Sequence, residues 1–578
     1  FGSRRERLVL VQRRLLGRAS KESPPAQLCK MGSTMSSAAA RSRLQSTSSS
    51  SSRASQHGHS QIVDLQQQRA GAVQTRRRTW HHSQHLDLQQ STVDFSGFAD
   101  DDEIALSAVP SAPVAAQPEP EVNGRGPLSL STRIEYAALP RGRSQDVFGI
   151  VTLQAEAAAA PARAEVEQRQ PLDVICVLDV SGSMTGEKLR LVQDAMRFVI
   201  RESQPQDRVS VVTFNSQAGR PLRLCRMDSR GKDEATAATL RLTAGGGTCI
   251  ANGVEAALEV AERRRHRNPV SAILLLTDGQ DGSSRHRIGP LVTRAQRAGC
   301  SLYTFGFGVD HDAQLLSDVA EQAQTPFTFV EDVDQIGAAF AGAIGGLSSV
   351  AAQRVEVVLE AHVTLKAVHT PFSVSREGTR TMVQIPDMLD GERRDLLVEL
   401  SVAAEGGAAE DTVLLEASGK YWDLAAGAAV QTPSVEMRLL RQADDEPQPE
   451  LEPDEEVTAQ RNRVEVAQTL QAAAAHGDAG RFDEAQAVLS AEEQRLRSGK
   501  CMTPISAGLV LELEDARNRM TSQSTWLRGG SAELRDAMQM HRMQRSTNAS
   551  SSRACTTKKC SKSMYLTSHQ MSWVSKLG

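Results

Sequence analysis

The chain has 578 residues, too many for a single hydrophobic core, and at roughly 150 residues per domain it should divide into several units. Its net charge is -4, so no overall basic field recommends nucleic acid as a partner, and aromatic residues make up only 4 % because a large share of the chain is of low complexity. No run of about 18 consecutive apolar residues occurs, which excludes an evident membrane-spanning helix.

Residues 1–125 have the composition of a disordered segment: a serine run (Ser48 to Ser52), scattered Gln and Arg, an acidic FADDDE patch and a Pro/Ala stretch. Residues 1–20 are Arg-rich with an apolar stripe, the texture of a transit peptide or of a plain basic leader, and the plain leader is the preferred reading. His81, His82 and His85 have no strand or helix to frame them and read as a solvated polar cluster; Arg76 to Arg78 are too short a run for a localisation signal. Across 128–156, LSLSTRIEYAAL and VFGIVTLQAEA alternate apolar and polar residues and predict strands of a β-sandwich.

Over 171–347 the texture changes. DVICVLDV, DRVSVVTFN, SAILLLTDG, SLYTFGFG and FTFVED are strands, the first and third continuous apolar runs fit for burial on both faces. Between them run helices: Leu189, Val192, Met196 and Val199 share one face, as do Ile250, Val254, Leu258 and Ala261. A further helix stops at Gly299, another spans about Asp312 to Gln324, and a last one ends near Gly346. Alternating strands and helices imply right-handed crossovers and a mainly parallel sheet covered on both sides, a doubly wound Rossmann-like α/β domain. Residues 352–441 again read as alternating strands of a small β-sandwich, into which the α/β unit is inserted. An acidic linker (442–456) leads to a helical region (457–545), where Val464, Leu470 and Ala473, then Phe482, Ala485, Val488 and Leu489, form the core of a hairpin. Met538 to Arg545 (MQMHRMQR) read as a solvated basic tail helix, and 546–578 as mostly disordered. The fold class is therefore multi-domain α/β plus β, with a helical C-terminal region and a disordered N-terminus.

Of the eight cysteines (Cys29, Cys176, Cys225, Cys249, Cys300, Cys501, Cys555, Cys560), no two are spaced as C-x-x-C, so no zinc framework is visible. Cys176 and Cys300 sit in apolar runs as small buried hydrophobes, and the pattern fits a reducing, cytoplasmic setting. The chemistry lies elsewhere. Asp179-Val180-Ser181-Gly182-Ser183-Met184 ends the first buried strand, where open parallel sheets bind ligands. Thr248 ends a glycine-rich loop that opens a helix, and Asp278 ends the third apolar strand. Carboxylates and hydroxyls on three strand-end loops are hard oxygen donors suited to Mg2+ or Mn2+. SGSMTGEK fails the spacing of a phosphate-binding loop, and His286 and His311, the nearest candidate bases, read as solvated loop histidines.

This set of three loops resembles the metal-ion-dependent adhesion site of von Willebrand factor A (VWFA) domains. The resemblance implies that Asp179, Ser181, Ser183, Thr248 and Asp278 hold one cation, Mg2+ or alternatively Mn2+ or Ca2+, some of them through water. With only two charged ligands the ion stays electrophilic and open on one side, and it would take an Asp or Glu from a protein partner. PDMLDGERRDLLVEL, ASGKYWD and AAAAHGDAGRFDEAQAVL further resemble plant ubiquitin ligases of the wavy-growth type, which join a RING finger to an A domain. Here no Cys/His array precedes residue 125: either a RING lies upstream of Phe1 or this relative never had one. Inter-alpha-trypsin inhibitor heavy chains, secreted, share the sandwich-plus-A-domain plan, but the unpaired cysteines argue against secretion. The expectation is a cation-dependent protein-binding scaffold, not an enzyme; the alternative is the substrate-binding part of a RING-type ligase, in contact with the ubiquitination machinery.

Overall fold

A computed structural model describes residues 102–103, 126–156, 169–332, 335–407, 410–443, 452–499, 502–547 and 564–577. The expectations for residues 1–101, the histidine cluster and basic leader among them, lie outside the described residues, as do those for Cys29, Cys501, Cys555 and Cys560.

The first strands are β1 (Leu128–Ile134), β2 (Ala138–Pro140) and β3 (Gln145–Ala155). The α/β unit follows, with β4 (Leu172–Asp179), α1 (Glu187–Glu202), β5 (Arg208–Phe214), β6 (Ala218–Arg226), α2 (Ser229–Leu240) and α3 (Ile250–Arg263). It continues through β7 (Val270–Thr277), α4 (Arg285–Arg297), β8 (Ser301–Phe307), α5 (Ala313–Ala323), β9 (Phe327–Val330) and α6 (Ile336–Ser348). Its sheet runs β6-β5-β4-β7-β8-β9, parallel throughout except for the antiparallel β5–β6 pair. Every residue of β4 and β7 is buried, because helices cover both faces. One face packs against α1 and α6 through Val192, Met196, Phe340 and Ile344; the other packs against α3, α4 and α5 through Val254, Leu258, Val292 and Leu316. Local signals set the helix ends: Asp312 caps α5 by accepting from the Leu315 amide at 3.0 Å, and Gly299 turns the chain after α4 at φ +67°.

The chain then returns to β-structure: β10 (Val350–Ala361), β11 (Thr364–His369), β12 (Ser373–Glu377), β13 (Arg380–Leu389), β14 (Arg393–Val402), β15 (Glu410–Asp423), β16 (Ala428–Gln431) and β17 (Val435–Gln442). These complete two sheets begun before the α/β unit. β3 lies between β1 and β14, and β2 pairs in parallel with β17. Leu153, Val357, Val398 and Leu439 fill the space between the sheets.

The helical region comprises α7 (Glu455–Asp478), α8 (Phe482–Ser498), α9 (Pro504–Arg519) and α10 (Ser531–Met543). Leu470, Ala473, Ala485 and Leu489 share its core, whereas Val464 packs on the sandwich with Ile150 and Leu397. Two expectations are corrected here. The segment read as a solvated basic tail helix is buried along α10, where several of its polar groups find partners. His541 meets Glu512 at 2.5 Å, the Arg463 guanidinium donates to the His541 carbonyl at 2.5 Å, and Gln539 reaches Ser317 of α5 at 3.5 Å. Of the final segment, expected to be mostly disordered, the described residues 564–577 carry α11 (Ser568–Ser575), started by a Thr567/Gln570 capping box, while 548–563 lie outside the described residues. Its Trp573 is buried edge-on to Phe198 at 6.4 Å, and the Gln570 amide donates to the Gly342 carbonyl of α6 at 3.1 Å.

Candidate metal centre

β4 lies in the middle of the sheet, and β5 and β7 leave it in opposite directions. The loops after β4 and β7 therefore meet at the switch point on the carboxyl rim. The first loop is a tight turn: Asp179 Oδ1 accepts the Ser181 amide at 2.8 Å, and its Oδ2 accepts the Thr277 hydroxyl at 2.5 Å. Ser181 and Ser183 face one another, their hydroxyls 2.9 Å apart, and Ser183 donates to Asp278 Oδ1 at 2.7 Å. Thr248 arrives from the opposite side. A methyl group built at Gly279 would stand 2.9 Å from Thr248 Oγ1 and 3.3 Å from Asp179 Oδ2, so the two side chains flank that glycine. All five residues named from the sequence thus lie around one small volume. Asp179, Ser181 and Asp278 form its buried floor; Ser183 is exposed and Thr248 half-buried, so the volume opens outward.

Main-chain bonds hold the loops in place. The Gly182 amide donates to Gly246 at 3.0 Å and the Gly245 amide to Val180 at 2.8 Å, joining the first two loops. Gly246 sits at φ +87°, a conformation other residues rarely adopt. Asn215 ties the glycine-rich loop to β5 by donating to the Gly245 carbonyl at 2.8 Å. Sequence reasoning missed Asp281. One of its oxygens accepts the Ile250 amide at 2.7 Å, and the other accepts the Ser283 amide at 2.9 Å, so it joins the third loop to the start of α3, two residues beyond Thr248. Burial alone would raise the Asp281 carboxyl; these hydrogen bonds overcome it and hold the group below the usual carboxylate range. A DGSS string (Asp281 to Ser284) shortly after a buried strand was the available signal.

Electrostatics favour a cation here. Burial pushes the Asp179 carboxyl above the ordinary range, and neighbouring Asp278 adds to the effect, against hydrogen bonds from Thr277 and Ser181. Lys188 pairs with Asp278 Oδ2, so a cationic group already stands at the rim. Two carboxylates with three hydroxyls and no thiol or imidazole suit a small hard ion. His311 is no candidate base: it is buried, not solvated as expected, between Phe327 and Phe329, and burial lowers its pKa to about 4. His286 is exposed on α4 rather than in a loop.

The von Willebrand factor type A domain family matches residues 173–341. The chain is 34 % identical over 251 residues to the E3 ubiquitin-protein ligase WAV3 of Arabidopsis thaliana, covering 41 % of this chain and 31 % of that protein. It is 26 % identical over 356 residues to the probable E3 ubiquitin-protein ligase WAVH2 of the same plant, covering 59 % and 46 % respectively. The chain therefore spans less than half the length of these two relatives. In fold it is similar to a von Willebrand factor type A protein from Catenulispora acidiphila, with a TM-score of 0.53 at 17 % identity, covering 69 % of this chain and 90 % of that one. Among the described residues no helix is long and apolar enough to cross a membrane. The inserted α/β unit of this chain is a von Willebrand factor type A domain, a protein-interaction module, carried by a relative of the plant WAV ligases.

Proposed function

We propose that Asp179, Ser181, Ser183, Thr248 and Asp278 hold one divalent cation, Mg2+ before Mn2+ or Ca2+, and that the chain uses this centre to bind an Asp or Glu of a protein partner. The supporting observation is the convergence of oxygens from three loops around one outward-opening volume. A bound divalent ion would supply a Lewis-acidic position for the incoming carboxylate. The protein's own part is orientation. Asp179 and Thr277 fix the turn that presents both serines; Asp281 and Asn215 hold the loop carrying Thr248. Burial of Asp179 and Asp278 keeps water from screening them, so an opposite charge is felt strongly. Cys176, Cys225, Cys249 and Cys300 are free thiols, which supports a reducing, cytoplasmic setting.

A second reading rests on the similarity to WAV3 and WAVH2: the chain would be the substrate-binding part of a ubiquitin ligase. Capture of partners on immobilised chain, with Mg2+ or EDTA and with wild type or Asp179→Ala, tests the first reading. Capture that ignores both changes would end it. An autoubiquitination assay on the full-length gene product tests the second; no ubiquitin chains with a competent conjugating enzyme would remove it.

A further inference from the structure

We propose that Lys188 tunes the selectivity of the metal centre: its ammonium opposes capture of the divalent cation and adds a positive charge that favours a carboxylate as the partner group. The proposal rests on the reading of that centre given above. Both oxygens of Asp278 are taken. Oδ1 accepts the Ser183 hydroxyl at 2.7 Å, and Oδ2 accepts the Lys188 ammonium. The Asp278 side chain has no exposed surface, whereas that of Lys188 is 29 % exposed, so the ammonium is the outer member of the pair. It is seated between the loops after β7 and β8. Asp278 follows β7, the Phe307 ring at the end of β8 has its centre 5.9 Å from Nζ, and a methyl group built at Gly308 would stand 3.8 Å from Nζ.

Two features set Lys188 apart from a lysine in an ordinary surface ion pair, which contributes little. It is the second residue of α1, where the unpaired amides of a helix start disfavour a positive side chain, so the acid in front of it holds it there and the helix does not. That acid is also one of the five proposed ligands. An incoming divalent cation therefore either meets the ammonium at close range or displaces it from Oδ2, and both weaken capture. After capture the sign reverses. Asp179 and Asp278 balance the two charges of the ion, and the charge of Lys188 is left to attract an anion. Further charges at the rim shift the total but not the one unit that Lys188 adds.

The test uses the full chain as wild type, Lys188→Gln and Lys188→Arg. The first variant keeps a donor for Oδ2 without the charge; the second keeps the charge. Free Mn2+ is read by electron paramagnetic resonance. Lys188→Gln should bind Mn2+ at least about tenfold more tightly than wild type, and Lys188→Arg within about threefold of it. Acetate then serves as the carboxylate probe. At constant ionic strength it should displace Mn2+-bound water, read by proton relaxation, with a midpoint at least about threefold higher in Lys188→Gln than in wild type. Partial unfolding cannot imitate this pair of results, because it would weaken both ligands. Equal or weaker Mn2+ binding by Lys188→Gln overturns the proposal, as does an acetate midpoint that does not rise, or a Lys188→Arg chain that behaves like Lys188→Gln. Failure of wild type itself to bind Mn2+ would overturn the reading of the centre and the proposal with it, whereas binding that is indifferent to Lys188 removes the proposal alone.

Discussion

Gly279→Ala probes the centre without removing any of its oxygens. The added methyl would lie 2.8 Å from Thr248 Cγ2 and 2.9 Å from its Oγ1, closer than such contacts occur, and 3.3 Å from Asp179 Oδ2. In the cation-free protein Thr248, half-buried at the rim, can turn outward at small cost. With a cation in place it must turn back, so the overpacking cost, about 1–3 kcal/mol, falls on the binding step. Since 1.4 kcal/mol is tenfold in affinity, the expected loss is roughly 5-fold to 140-fold. Gly282→Ala is the matched control: it sits in the same loop, and nothing lies within 4 Å of an added methyl there. Titration calorimetry with Mg2+ or Mn2+ reads both variants. Wild-type affinity in Gly279→Ala, or equal losses in the two, would mean that Thr248 does not stand beside the cation.

Other outcomes follow from neighbouring contacts. Asp281→Ala strands the Ile250 amide and frees the loop before α3; it should lower stability by about 1–3 kcal/mol and weaken Mg2+ binding together, and a calorimetric titration unchanged from wild type would count against its role as a tie. Trp573→Ala empties the contact with Phe198 and Gly345, at a cost of about 3 kcal/mol, and should expose α6 to hydrogen exchange; unchanged protection of 336–348 would show that α11 is not docked there. His311 has a folded pKa of about 4, against about 6.5 unfolded, so the unfolded chain binds the extra proton between those values. Its contribution is full above about pH 6.5 and drains as pH falls to about 4, by roughly 3 kcal/mol; His311→Gln should flatten that part of the denaturation profile, and an identical slope would refute the assignment.

Much of the α/β domain was legible because burial on both faces leaves a plain mark: β4 and β7 are unbroken apolar runs, and each ends in one of the acidic loops. The edge strand β6 escaped notice because Pro221 and three arginines interrupt its pattern, a composition an edge tolerates. α2 was missed because its buried side is made of Ala235, Ala238 and Thr239, too small to register as an apolar face. The docking of α11 depends on partners some 220 residues away. Gly345 and Gly346 were the one trace of it, since they let Trp573 and Gln570 approach the α6 backbone. At the centre itself, the five oxygen-bearing residues stood in the motif, whereas Asp281, Asn215 and Thr277 act through contacts across loops that spacing alone does not disclose.

The most direct measurement is anomalous diffraction from crystals of the protein grown with Mn2+, recorded for wild type and Asp179→Ala. One anomalous peak enclosed by Ser181, Ser183, Thr248, Asp179 and Asp278, lost in the variant, is the predicted result. A wild-type map without a peak there, or a peak that survives the loss of the Asp179 carboxylate, would contradict it.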